Sequence, residues 1–122
     1  MRLWTDTGLY GLGEASPMAH GNASLEIIAS ACTPLLLGAD PLEHRVLQDR
    51  LFHQHIKLGP DGAYAGALAA LDIALWDLKG HILPQPIYTL LGGAWRTTVP
   101  FYASIGGNGV RSVDEVCRVV EG

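Results

Sequence analysis

The run from Ala63 to Gly80, Ala-Tyr-Ala-Gly-Ala-Leu-Ala-Ala-Leu-Asp-Ile-Ala-Leu-Trp-Asp-Leu-Lys-Gly, constrains this chain more than any other segment. Tyr64, Leu68, Leu71, Leu75 and Leu78 recur at alternating spacings of four and three, as one face of a helix does. Ala63, Ala67, Ala70 and Ala74 line a neighbouring face and let another backbone come close. Asp72, Asp77 and Lys79 are its only charges. Such a helix must be packed on most of its sides. Its longest apolar stretch, Ala63 to Trp76, falls short of the ~18 residues needed to cross a bilayer and contains Asp72. A buried helix is therefore expected, and no membrane partner.

What buries it is the next question. Charged residues make up 16% of the chain and hydrophobic ones 48%, with a mean hydropathy of +0.21. A small domain has much surface per volume and should carry more charge than this. The surplus points to apolar surface that meets another domain or subunit. The net charge of -4 is spread without a basic stripe, so nucleic acid is not an expected partner. Cys32 and Cys117 show no ligand or redox spacing. Cys32 falls in an apolar helical pattern and reads as an inert core thiol in a reducing compartment. The start Met1-Arg2-Leu3-Trp4-Thr5-Asp6 lacks the layout of a secretion signal, and a cytoplasmic location is expected.

Arg2 to Glu14 predicts a β-hairpin turning at Asp6-Thr7-Gly8, with Gly8 in the left-handed conformation. Gly11 and Gly13 remove side chains from one face of the second strand, which suits close approach of another backbone. Two strands alone are marginal, so a third strand is expected from elsewhere. Ala15 to Ala23 is a loop by composition. A helix is expected from about Ser24, bent or ended by Pro34 and closed by Gly38. Asp40-Pro41-Leu42-Glu43 predicts the start of another, with Asp40 as cap and Glu43 reaching back, running to about His53. Asp61 is the expected cap of the apolar helix, and Gly80 its stop. Pro86 and Gly92-Gly93 bracket a short helix. Val99 to Ile105 predicts a strand. Ser112 and Glu115 form a capping box that opens the last helix.

Four blocks carry a resemblance: Gly8-Leu-Tyr-Gly-Leu-Gly-Glu14, Ala67 to Gly80, Tyr88-Thr-Leu-Leu-Gly-Gly93 and Val99-Pro-Phe-Tyr-Ala-Ser104. In this order and spacing they resemble the N-terminal part of the enolase superfamily, in its mandelate racemase/muconate lactonizing enzyme branch. That resemblance implies an α+β fold. Residues 1–98 would be a capping domain, an antiparallel hairpin with a helical bundle. The family's three-stranded sheet would be incomplete, its first strand missing. Residues 99–122 would be the first strand and helix of a truncated (β/α) barrel, since a whole barrel takes roughly 250 residues. Pro84 stands where the helix exit of the family often has Gly.

The resemblance also implies a chemistry. Family members abstract the proton beside a carboxylate with a Lys or His base while Mg²⁺ stabilises the enediolate. The implied substrates are small carboxylates or sugar acids, and the implied partners are the remaining barrel and further copies in a homo-oligomer. The Lys-x-Lys motif and the metal carboxylates belong to later barrel strands. Lys57 and Lys79, the only lysines, do not match that motif. No catalytic residue and no metal ligand is therefore expected within these 122 residues. The chain alone is expected to be inactive.

The implied role is to close over substrate. The loop from Ala15 to Ala23 corresponds to the loop that covers the barrel mouth in the family. Met18, His20 and Asn22 are its candidate substrate-facing residues, against the plainer reading of a hairpin-to-helix connection. Tyr102 and Ser104 approach the C-terminal end of the expected barrel strand, where barrel active sites gather. Asp72 and Asp77 are five residues apart, about 140° around a helix, so they do not converge as a catalytic pair. Structural roles are expected instead. Asp77 would pair with a cation or an amide, and Asp72 with Trp76 or a helix terminus.

His44, His53 and His55 lack the one-face spacing of helical metal ligands and read as a solvated helix end. His81 would favour the dipole at a helix end. Gly107-Asn-Gly109-Val-Arg-Ser112 imitates a dinucleotide loop but lacks the acidic residue about 20 positions on. Two other classes of function remain open at this level, a helical interaction or oligomerisation module and a nucleotide-binding α/β domain.

Overall fold

A computed structural model of the chain describes residues 1–16, 22–59, 61–102 and 112–121. Its elements run β1 (Arg2–Trp4), β2 (Tyr10–Leu12), α1 (Asn22–Ile27), a π-helical turn (Ile28–Cys32), α2 (Thr33–Leu36), α3 (His44–Gln54), a 3₁₀ turn (Ile56–Leu58), α4 (Gly62–Ile82), α5 (Ile87–Leu90) and α6 (Val113–Glu121). α4 is the central post. It touches both strands, α1, α3 and α5. Its apolar stripe is the core: Ala67, Ala70, Leu71, Ala74 and Leu78 are wholly buried and Leu75 nearly so. Burying each leucine contributes about 2 kcal/mol. The opposite side of the helix, at Ala69 and Ile73, is exposed.

β1 and β2 form an antiparallel pair with Arg2 opposite Leu12, Leu3 opposite Gly11 and Trp4 opposite Tyr10. Gly8 closes the turn at φ 84°, as expected. The face carrying Leu3, Gly11 and Gly13 lies on α4. A Cβ on Gly11 would stand 2.7 Å from the Leu78 amide nitrogen and overlap the Ala74 carbonyl oxygen. One on Gly13 would overlap the Ala70 carbonyl and sit 3.0 Å from Ala74 Cβ. The glycines therefore set the distance between hairpin and helix. The alanines of α4 are the other half of that fit. The expected third strand is not found among the described residues, and α4 covers the pair in its place.

Backbone bonds between Met1 and Gly13 (2.7 Å and 3.2 Å) and from Thr5 N–H to Leu9 O (2.9 Å) fix which residues of β1 face β2. By alternation the backbone groups of Arg2 and Trp4 point the other way, along an edge that no described strand pairs. Among the described residues the sheet has two strands, β1 and β2. Beside the free edge of β1 runs a cleft of about 660 Å³ lined by Leu3, Leu25, Ile28, Leu36, Leu75 and Leu78 among others.

Several local expectations need correction. Pro34 is accommodated two residues before the helical run ends at Leu36, and the cost falls on the turn before it. It cannot donate to Ser30 and its ring needs room for that carbonyl. The preceding turn widens into the π form, in which Thr33 N–H donates to Ile28 O. Asp40 accepts from Leu42 N–H at 2.9 Å inside a turn. α3 begins only at His44, with no side-chain cap from Glu43. Asp61 makes no cap bond to α4.

Gly80 does not stop α4, which continues to Ile82. The chain folds back over it instead: Gln85 N–H donates to Gly80 O at 3.1 Å, and a Cβ at Gly80 would stand 3.1 Å from Gln85 O. The stop comes at Leu83 and Pro84. Pro84 has no N–H to continue the helical ladder.

Gly92 and Gly93, at φ 107° and 105°, end α5 as expected. The Ser112–Glu115 box caps α6: Ser112 N–H donates to Glu115 Oε2 at 2.8 Å and Glu115 N–H to Ser112 Oγ at 3.3 Å. Val99 to Tyr102, the described part of the expected strand, lies in no strand. Val99, Phe101 and Tyr102 are 66%, 91% and 88% exposed. Among the described residues no strand pairs with them.

Candidate functional site

The loop expected to face substrate leaves the hairpin at Ala15 and returns at α1. Ala15 packs against the core cluster formed by Ile28, Cys32, Leu51, Tyr64, Ala67, Ala70 and Leu71. At the return, buried Ser24 donates from Oγ to Ala63 O at 3.1 Å. Gly66 leaves room for that hydroxyl, since a Cβ there would stand 3.2 Å from it. Both loop ends are thus tied to the structure around the N-terminal half of α4. Met18 and His20 lie outside the described residues. Asn22 is not in the loop: it is the exposed first residue of α1, because the helix begins two residues earlier than the apolar pattern indicated. Tyr102, 88% exposed, packs against little, and Ser104 lies outside the described residues, as does the Gly107–Arg111 loop. The structure does not bring Asn22 and Tyr102 into a shared pocket.

Two polar seams orient the scaffold around those loop ends. At the hairpin, Leu12 N–H donates to Asp77 Oδ2 at 2.8 Å, the amide pairing expected for Asp77. His81 lies 2.8 Å through Nδ1 from Tyr10 O. A carbonyl only accepts, so Nδ1 carries the proton. His81 keeps the place expected of it in the last turn of α4 and adds this bond across the fold.

The second seam joins α3 to α4. His44 is 5% exposed, and its Nε2 is 2.7 Å from Asp72 Oδ1. Trp76 does not bond Asp72. It meets the His44 ring edge-on instead, at 4.7 Å and 82°, with Lys79 over its own ring at 5.2 Å. His44 is therefore no part of a solvated helix end. His53 keeps that role, exposed and bonded through Nδ1 to Asp49 O at 2.9 Å, while His55 meets Tyr64 edge-on at 5.4 Å. The spacing of His44, Leu47 and Leu51 at i, i+3 and i+7 was the signal for a buried histidine, since all three share the inward face of α3.

Burial acts on two acidic groups near the loop ends. It pushes the Cys32 thiol up. It also raises the Tyr64 phenol, with Cys32 adding a smaller push. Tyr64 donates its hydroxyl to Leu51 O. Both groups are neutral, apolar-side members of the core, and Cys32 is the inert thiol expected.

Among the described residues no three His, Cys, Asp or Glu side chains gather to hold a metal ion. The described residues alone do not fit a magnesium site. No helix among them is long and apolar enough to cross a membrane.

Residues 1–92 match the family model for the mandelate racemase/muconate lactonizing enzyme N-terminal domain. A D-galactonate dehydratase family member of Paenibacillus sp. is 37% identical over 124 residues, covering 99% of this chain and 30% of the relative. A D-mannonate dehydratase of Sphingomonas sp. is 34% identical over 117 residues, covering 95% and 28%. Among solved structures, the mandelate racemase/muconate lactonizing protein of Paracoccus denitrificans PD1222, complexed with magnesium, is 58% identical. It superposes with a TM-score of 0.81 over 98% of this chain and 32% of that one. The chain thus spans about a third or less of the length of these relatives. It belongs to the mandelate racemase/muconate lactonizing enzyme branch of the enolase superfamily, and the part it matches is that family's N-terminal domain.

Proposed function

We propose that this chain is the capping portion of a sugar-acid dehydratase, with residues 1–98 as the cap and residues 99–122 as the opening βα unit of its barrel. The match of residues 1–92 to the N-terminal domain carries this reading. The dehydratase relatives support the substrate class: one is a D-galactonate dehydratase family member and another is named a D-mannonate dehydratase. In the longer enzyme the residues that hold magnesium would come from the rest of the barrel, and the ion would supply positive charge beside the substrate carboxylate. The magnesium-bound Paracoccus relative supports that choice of ion.

The contribution of this chain would be enclosure. Met18 and His20, on a loop anchored by Ala15 and Ser24, would contact the polar acid and exclude water from the barrel mouth. Asn22, at the exposed start of α1, would border that loop. Tyr102 and Ser104 would lie at the barrel mouth. The other partners would be the remaining barrel and further copies of the enzyme.

The test is a chimera that joins residues 1–98 to the barrel portion of the Paracoccus relative, assayed with magnesium against a panel of acid sugars. Turnover of at least one is expected. His20→Ala should then raise KM while leaving kcat within a few-fold. A chimera that folds, binds magnesium and dehydrates no acid sugar would overturn the substrate assignment. An unchanged KM in His20→Ala would remove that residue from the site.

A further inference from the structure

We draw no further inference here: the strongest candidate, the apolar cleft of about 660 Å³ along the unpaired edge of β1 and lined by Leu25, Ile28, Leu75 and Leu78, carries none, because nothing in the structure shows what covers it.

Discussion

Asp77 and His81, one turn apart on α4, divide the free edge of β2 between them. Asp77 accepts the Leu12 N–H at 2.8 Å and His81 meets the Tyr10 carbonyl at 2.8 Å. Strand edges left open invite pairing with other chains. Here one helix face supplies the acceptor and the donor that a third strand would otherwise supply. The same face carries the alanines on which Gly11 and Gly13 rest, so packing and edge satisfaction are set by one helix.

Replacing Asp77 by Ala leaves the Leu12 amide facing a helix without an acceptor. The bond is exposed, so the expected loss is no more than about 1 kcal/mol, read as a lower urea midpoint with an unchanged slope. Asp77→Asn keeps a carbonyl oxygen at the position and should lose less. Equal losses in the two variants would mean that the hydrogen bond is not what Asp77 contributes.

The hairpin glycines separate steric fit from backbone freedom. Gly11→Ala drives a Cβ toward the Ala74 carbonyl and the Leu78 amide, neither of which can move without shifting α4. The expected cost is about 3 kcal/mol. Gly8→Ala meets open space and only the strain of φ 84°, which costs about 1 kcal/mol. A smaller loss in Gly11→Ala than in Gly8→Ala, measured by denaturant melts, would contradict the close seating of β2 on α4.

His44 and Asp72 behave unequally when one partner is removed. Asp72 keeps 43% of its side chain in water and His44 only 6%. Asp72→Ala strands a buried imidazole, at an expected cost of about 2 kcal/mol. Asp72→Asn preserves an acceptor and should cost about half as much. Identical melts for wild type and Asp72→Ala would remove the pair from the α3–α4 seam.

The two thiols differ in access: Cys32 is buried and Cys117 exposed. A thiol reagent under native conditions should modify Cys117 promptly and Cys32 only as fast as the core opens. Burial raises the Cys32 pKa, so the folded state holds its proton more tightly than the unfolded chain does. Stability should therefore fall as pH rises past the ordinary thiol value, about 8.5. Cys32→Ala should flatten that alkaline decline, even though the cavity lowers overall stability. Equal labelling rates for the two cysteines would contradict the buried placement of Cys32.

The elements that were legible in the sequence are those with local causes. The four-and-three spacing of α4, the left-handed Gly8 and the Ser112–Glu115 box each rest on residues within a turn or two. Gly11 and Gly13 were legible too, because two missing side chains on one strand face imply a close neighbour. What was missed depends on partners far along the chain. Gly80 resembles a helix stop, yet its lack of a side chain serves the returning Gln85. Asp72 found His44 across the fold, not Trp76 one turn away. The candidate substrate loop was legible only through resemblance, since Met18 and His20 carry no spacing that names a ligand.

The most direct measurement is magnesium-dependent dehydration of acid sugars by the purified 122-residue chain, followed as release of the 2-keto product. If this chain caps a site whose catalytic groups belong to the rest of the barrel, product will stay at the level of the enzyme-free control at every magnesium concentration. Product formation that rises with the amount of chain and is abolished by chelator would contradict that assignment.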